Sequence, residues 1–387
     1  MKGLIALLRA HPYFSSYLLV YGLLQIGLIQ STGLQYAPAL FFLFFVPFCL
    51  FYSLTNFLPE FRITMGSARL NTSKLEWLLL GMGLVIVLIH LIWLGKIPLI
   101  EAWQATKLSA ANLIRKNSSA GLPSWLRYAS TWTVRAILPT VTLLFLKKKN
   151  DVGFVFSLLL GSLYGLALLQ KSLVLWTTIP VLVYFILSKK WLGTLVLTAT
   201  TGLLFVLAVF ANNPQLHGGE HDLKTTNVNS PKTTQVSEGI FKRIFIVPGK
   251  TLGLWFEHVP KDKPFLFGQD FGPYAKLIGQ ATKDYNLELY PLFYPTYAKQ
   301  GINGSVNTAH FMRGYANFGW WGLPLSAFLL AIFFWFLNNL HRKTQPALAF
   351  SLQIFPLLLL SSGSLLTLLF SGGWGFILFI LFLRQKS

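Results

Sequence analysis

Charge is what this sequence has least of. Charged residues fill 11% of its 387 positions and only 12 residues are acidic, whereas soluble domains carry about 25% charged residues. That deficit excludes a soluble enzyme and a disordered chain. A single cysteine, Cys49, lies in an apolar run, so no disulfide can close within the chain and no Cys/His cluster has zinc spacing. There is no Asp-x-Asp pair to hold a divalent metal, and neither metal nor cofactor is expected. No internal repeat is visible, which argues against an inverted-repeat transporter.

What fills the space is apolar: 54% hydrophobic and 16% aromatic residues, in continuous blocks of helix-spanning length. Outer-membrane barrels alternate apolar and polar residues in strands of about ten, so the pattern predicts an all-α polytopic membrane protein. Ten transmembrane helices are expected near 13–30, 37–58, 75–95, 128–146, 152–169, 173–188, 192–210, 317–340, 345–361 and 364–383, with only Ser361-Ser362-Gly363 separating the last two. This gives a membrane domain of seven spans over 1–210, one large external loop over 211–310, and three more spans over 311–387. The loop holds eight of the 12 acidic residues; 212–238 reads as a solvated polar tract, and 239–310, rich in aromatics and glycine, as folded.

The net charge of +20 would suggest nucleic acid in a soluble protein, but basic residues collect in cytoplasmic loops. Residues 1–12 lack a long apolar core and a small-residue cleavage site, so they read as a cytoplasmic N-terminus and not as a signal peptide. With that end inside, Arg62, Arg69, Lys74, Lys147 to Lys149, Lys189, Lys190, Arg342, Lys343 and Arg384 all fall on the cytoplasmic side, while the opposite short loops at 31–36 and 361–364 carry no charge. Both termini are therefore expected in the cytoplasm and no nucleic-acid partner is expected. The remaining cations need another reason. Arg115 and Lys116 stand in the external segment 96–127, Arg135 inside the fourth span, Lys171 at the junction of spans five and six, Arg243 at the start of the folded loop, and Arg313 just before the eighth span. Cations gathered on the outer face or buried in the bilayer imply an anionic ligand, and a lipid-linked diphosphate suits them because guanidinium forks match phosphate oxygens.

Several motifs occur in order along this stretch: Gly95-Lys96-Ile97-Pro98, Gln170-Lys171-Ser172, Arg243 followed by an aromatic amphipathic segment, Pro264 with Gly268 and Gly272, Asn307-Thr308-Ala309-His310, and Gly319-Trp320-Trp321-Gly322 opening a span. Together they resemble the O-antigen polymerase family, the Wzy-type polymerases of lipid-linked oligosaccharide repeat units, which is related to the O-antigen ligases. The resemblance spans most of 95–325. It departs at two points: Lys171 stands where the ligase pattern has arginine, and strict spacing from Gly319 puts Thr308, not His310, at the ligase histidine.

The resemblance implies a GT-C-like, metal-independent glycosyltransferase in a bacterial plasma (inner) membrane, with its active site facing the periplasm. Its partners would be undecaprenyl-diphosphate-linked oligosaccharide, the bilayer and a chain-length-regulating co-polymerase. Arg243, Lys171, Arg135, Arg313 and Arg115 would bind the diphosphate that leaves. His310 or Glu257 would take the acceptor proton; a bland reading makes His310 a loop-orienting residue, and His258 is a second acid–base candidate. Tyr290, Tyr294 and Tyr297 would offer stacking faces to sugars, against a bland reading as an interfacial aromatic belt. Arg135 has its own bland reading, a side chain that snorkels to the surface. Two other classes stay open: a ligase moving glycan to a lipid A core or protein, and a lipid-linked-sugar flippase or transporter.

Overall fold

The computed structural model describes residues 10–60, 72–106, 108–211, 246–299 and 304–384. Among these there are helices and no strands. Six helices are long and apolar enough to cross a membrane, the architecture of an all-α polytopic membrane protein. They are α1 (Pro12–Thr32), α2 (Ala37–Phe57), α3 (Thr72–Leu94, apolar from Lys74), α6 (Ser124–Lys147), α9 (Trp191–Ala211) and a 32-residue stretch, Met312–Lys343. That stretch contains α11 (Met312–Phe318) and α12 (Gly322–Lys343). Shorter apolar helices are α7 (Asp151–Ala167), α8 (Lys171–Leu187), α13 (Pro346–Leu358) and α14 (Trp374–Leu383). Between the membrane helices lie α4 (Pro98–Gln104), α5 (Leu108–Ala120) and α10 (Val247–His258). Six segments of spanning length and four shorter ones thus stand where ten spans were expected. The expected tenth span, 364–383, is in fact two pieces, Leu365–Leu369 and Trp374–Leu383. Gly373, the residue that precedes the second piece, takes φ +82, a left-handed conformation that breaks the run.

By its contacts the chain divides into two interleaved units. Unit 1 is Met1–Arg62, Ser230–Asn339 and Leu357–Leu366; unit 2 is Ile63–Asn229, Leu340–Pro356 and Thr367–Ser387. The described loop residues 246–299 and 304–310 thus fold with α1, α2 and α12, whereas the sequence division at 210 and 311 follows chain order.

Unit 2 is organised by three turns of one design. Lys149, Leu169 and Lys189 each have φ near +56. In each, the amide one residue later returns to the carbonyl five residues back: Asn150 to Phe145, Gln170 to Gly165 and Lys190 to Phe185, at 2.9–3.2 Å. This is the helix-ending motif that satisfies the last free carbonyls. Connections this short make α6, α7, α8 and α9 antiparallel in succession, so the turns at Lys149 and Lys189 share one end and Leu169 marks the other. Helices α7 and α8 approach closely because Gly161 and Gly165, four apart, lie against Thr177 and the backbone of Val174. Two wide helical turns, Phe41–Phe45 in α2 and Thr133–Ile137 in α6, end two residues before a proline, Pro47 and Pro139. Proline cannot donate to the carbonyl four residues back, and the helix relaxes there into a π turn.

At the end of unit 2 that holds Lys149, Glu76 on α3 is almost wholly buried. It receives Lys148 at 2.9 Å and Arg384 at 2.7 Å, and so fastens α3 to the α6–α7 turn and to the residue after α14.

Unit 1 has an aromatic core. Tyr17 from α1, Phe44 and Phe48 from α2 and Phe334 from α12 are all fully buried and meet edge-to-face or stacked at 5.3–6.4 Å. Helix α10 lies along α1. A Cβ on Gly249 would run into the backbone of Gly27 and Leu28, and one on Gly253 into Thr32. These two glycines form a G-x-x-x-G seam, the spacing that lets two apolar helices touch backbone to backbone.

Candidate functional site

In unit 2, Arg135 sits eleven residues into the 24-residue α6, about 16 Å along the helix axis at 1.5 Å per residue. At that depth its side chain does not reach the near end of the helix. Its guanidinium lies over the Trp176 ring, 5.5 Å from the centroid, a cation–π contact. Its Nε is buried with no hydrogen-bond partner, and among the described residues no carboxylate pairs with it. Arg135 lies at the centre of the π turn that Pro139 produces, a local widening often associated with functional sites. Trp176, held in turn by Phe355 at 4.8 Å, is five residues into α8, so about 7.5 Å along its axis from Lys171, the first residue of that helix. Arg135 and Lys171 therefore belong to one end of α8, the arginine deep and the lysine at the terminus.

Arg115 is exposed on α5. The C-terminal part of that helix is tied inward by His90. The Nε2 of His90 faces the Ser118 carbonyl at 3.2 Å and so carries the proton, which leaves Nδ1 to accept from the Tyr164 hydroxyl. Ser118 Oγ donates to the Arg115 carbonyl at 2.7 Å.

In unit 1, Arg313 is fully engaged. Its Nε and Nη2 grip the Asp270 side chain and, at 2.9 Å, the Asp270 carbonyl, while Nη1 donates to Ser364 Oγ at 3.1 Å. Asn317, one turn on, accepts from the Gly268 amide at 2.6 Å and donates to Asp270 Oδ1 at 3.1 Å. Leu266 N bonds the Ala316 carbonyl at 2.8 Å. The Pro264–Gly272 turn is thus locked onto the end of α11, with Arg313 as its clamp.

His310 is buried. Its Nε2 shares a hydrogen bond with Tyr17 Oη at 2.7 Å, its amide donates to the Leu360 carbonyl at 2.9 Å, and Phe44 and Phe311 flank the ring at 5.6 and 5.3 Å. Burial pushes its pKa down to about 3, so the imidazole is neutral at ordinary pH. Glu257 is exposed on α10, beside Tyr36. Burial first, and then the Glu257 charge, raise the Tyr36 pKa, and Tyr36 stacks on Phe256 at 5.0 Å. The neighbouring His258 pairs with Asp262. Tyr290, Tyr294 and Tyr297 form a contiguous ladder, with ring centroids 5.2 and 6.2 Å apart.

In unit 2, Arg135 therefore lies over the half of α8 that begins at Lys171, and unit 1 brings the three tyrosines together and also holds Arg313, His310 and Glu257. Arg243 lies outside the described residues. The sequence reading missed Trp176, Asp270, Asn317, Tyr17 and Tyr36. A G-x-x-x-G spacing was in view at 249–253 and went unread; the partners of Arg313 and His310, 43 and 293 residues distant, leave no local signal. Among the described residues no group of three His, Cys, Asp or Glu could hold a metal ion. Compared with protein-family models, curated proteins and solved structures, the chain matches none of them.

Proposed function

We propose that this protein joins lipid-diphosphate-linked oligosaccharide units on the outer face of a bacterial plasma membrane, as a metal-independent glycosyltransferase of the polymerase type. The observation that carries the reading is Arg135: a guanidinium within a membrane helix, largely enclosed, backed by Trp176 and without a carboxylate partner among the described residues. An intramembrane cation of this kind is costly unless an anion meets it. A diphosphate held by Arg135 from below and Lys171 from the helix terminus would have its developing charge stabilised as the anomeric bond breaks. Of His310 and Glu257, the two candidates for the acceptor proton in unit 1, Glu257 is the exposed one, beside Tyr36, whereas the His310 ring is already occupied by Tyr17 and is held neutral in an aromatic enclosure. Tyr290, Tyr294 and Tyr297 offer a stacking face to the glycan. Arg313 keeps the Pro264–Gly272 turn in place and does not contribute a free charge.

The test is direct. Purified protein is incubated with undecaprenyl-diphosphate-linked repeat units, without nucleotide or added metal, and products are resolved by length. A ladder is expected, and Arg135→Ala should slow its formation on the order of 10²–10³-fold. A second reading, a lipid-linked-sugar flippase, draws on the same intramembrane arginine; it predicts no ladder at all and sugar transfer across sealed vesicles instead.

A further inference from the structure

In unit 1, Trp321, Leu325, Phe328, Leu329 and Ile332 are exposed along α12. They recur every three or four residues and so share one face. On a helix of membrane-spanning length, an exposed apolar face of this kind meets lipid. The 22 residues of α12 reach about 33 Å at 1.5 Å per residue, enough for a hydrocarbon core of about 30 Å. Gly319–Trp321, just before the helix, therefore falls at the edge of that core. Phe318, Trp320 and Trp321 are exposed there, as tryptophan at a membrane interface commonly is.

The Pro264–Gly272 turn is bonded to this same point. Beyond the Leu266 bond already described, the Phe267 amide donates to the Asn317 carbonyl at 3.3 Å, and the Phe265 ring lies against Gly319. Rings continue across the unit. Phe267, Phe265, Tyr315, Trp320, Phe256 and Tyr36 follow one another at 5.0–6.3 Å. Tyr36 immediately precedes α2, so this band joins the starts of two spanning helices.

From Phe267 onward the turn presents an apolar edge. Phe267 and Phe271 are exposed, and the Tyr274 ring lies over Gly268. Tyr274, Leu277 and Ile278 are exposed three and four residues apart on the short helix Gly272–Leu277 and its cap, while Ala275 is buried. Leu277 is 83% exposed. Two lysines flank the edge. Lys276 is exposed on the same helix, and the Lys283 amide returns to the Gln269 carbonyl at 3.1 Å. Neither lysine pairs with a carboxylate among the described residues. The nearby acids are engaged: Asp270 by Arg313, and Glu288 by Lys263 at 2.7 Å.

We propose that residues 267–278 lie in the headgroup region of the bilayer and anchor the folded loop there, with Lys276 and Lys283 on anionic lipid phosphates. The occupant is lipid because the edge continues the lipid face of α12: Phe267 is bonded to the residue before Phe318, where that face begins. Apolar side chains entering between headgroups, with ammonium groups beside them, are the chemistry of an interfacial anchor. The anchoring does not require glycan transfer.

The experiment uses the full chain carrying Cys49→Ser, which removes its one cysteine, so that a single introduced cysteine bears the only nitroxide label. The protein is reconstituted into liposomes of phosphatidylethanolamine and phosphatidylglycerol. Collisions of the label are measured with oxygen, which concentrates in lipid, and with a water-soluble nickel chelate. At Leu277→Cys the oxygen-to-nickel ratio should be about fivefold or more above that at Lys261→Cys, on the exposed charged turn after α10, and should approach that at Phe328→Cys on the lipid face of α12. If Leu277→Cys does not fold, Phe271→Cys reports the same edge. Adding Lys276→Glu with Lys283→Glu should lower the ratio about threefold in these liposomes and by less in phosphatidylcholine alone. A ratio matching Lys261→Cys places the edge in water and overturns the proposal. Few collisions with either reagent, or spin–spin broadening between labels, means that protein covers the edge, a second copy in the latter case, and overturns it equally. An unchanged ratio in the glutamate variant removes the lysines from the anchor.

Discussion

Tyr17 on α1 and His310 before α11 share a 2.7 Å hydrogen bond across 293 residues of chain, inside a cage of Phe44, Phe48, Phe311 and Phe334. The pair fixes the junction ahead of α11 against the first helix. It also has a pH signature. The folded pKa of about 3 lies below the value of about 6.5 for an unperturbed histidine, so between those limits the unfolded chain binds the extra proton. The stability tied to the neutral ring is fully present above pH 6.5 and is lost as pH falls toward 3. Tryptophan fluorescence during denaturant unfolding should show wild type losing stability between pH 6.5 and 4, and His310→Gln losing less over the same range.

The Asp270–Arg313 pair predicts strong coupling. Asp270→Ala leaves a guanidinium half-buried without its carboxylate and should cost on the order of 2 kcal/mol. The double change Asp270→Ala/Arg313→Ala should cost less than the sum of the single changes. Limited proteolysis within 264–272 would report the loosened turn, and additive effects would mean that the contact contributes nothing.

Glu76 should tolerate loss least of all the described carboxylates. Glu76→Ala leaves Lys148 and Arg384 facing an apolar interior, and breaking a buried pair costs about 3–5 kcal/mol. Thermal unfolding in detergent should show a large drop for Glu76→Ala and for Arg384→Ala, and a smaller one for Lys148→Ala, since that side chain is 32% exposed.

Lys189 offers the opposite sign. It is exposed and left-handed at φ +56, a conformation costing a non-glycine residue about 1–2 kcal/mol. Lys189→Gly should raise the melting temperature. An unchanged or lower value would show that the lysine has contacts worth more than the strain.

Gly249 permits one further test. Gly249→Val forces a branched side chain into the Gly27 and Leu28 backbone and should part α10 from α1, with a cost of at least 1–3 kcal/mol from overpacking. A cysteine pair placed across the seam should cross-link in the parent chain and fail to do so in the variant.

How much of this was legible beforehand follows physical range. Apolar runs locate helices because length and composition act locally, and expected boundaries such as 37–58 and 192–210 lie within a residue of Ala37–Phe57 and Trp191–Ala211. The split of 364–383 falls at Ser371-Gly372-Gly373, a short break inside a long apolar run, where Gly373 turns left-handed. The site was less legible because charge was read without its compensation. Arg313 and Arg135 look alike as isolated cations in the sequence; only folding puts Asp270 against one and Trp176 beneath the other. His310 drew attention as a titratable side chain, and its enclosure comes from residues on α1 and α2 that no spacing rule connects to it.

The interleaving of unit 1 has a consequence for how the protein is made. Its first segment ends at Arg62 and its second does not begin until Ser230. At about 5–20 residues per second, Tyr17 is synthesised roughly 15–60 s before His310 and Phe334 complete its cage, and Gly27 roughly 11–44 s before Gly249 arrives to seat on it. During that interval the aromatic face of α1 and α2 stands in the bilayer without its intended neighbours. The newborn hairpin must be kept from wrong helices by lipid or by an insertion chaperone, and a ribosome stalled near residue 230 should leave it open to capture.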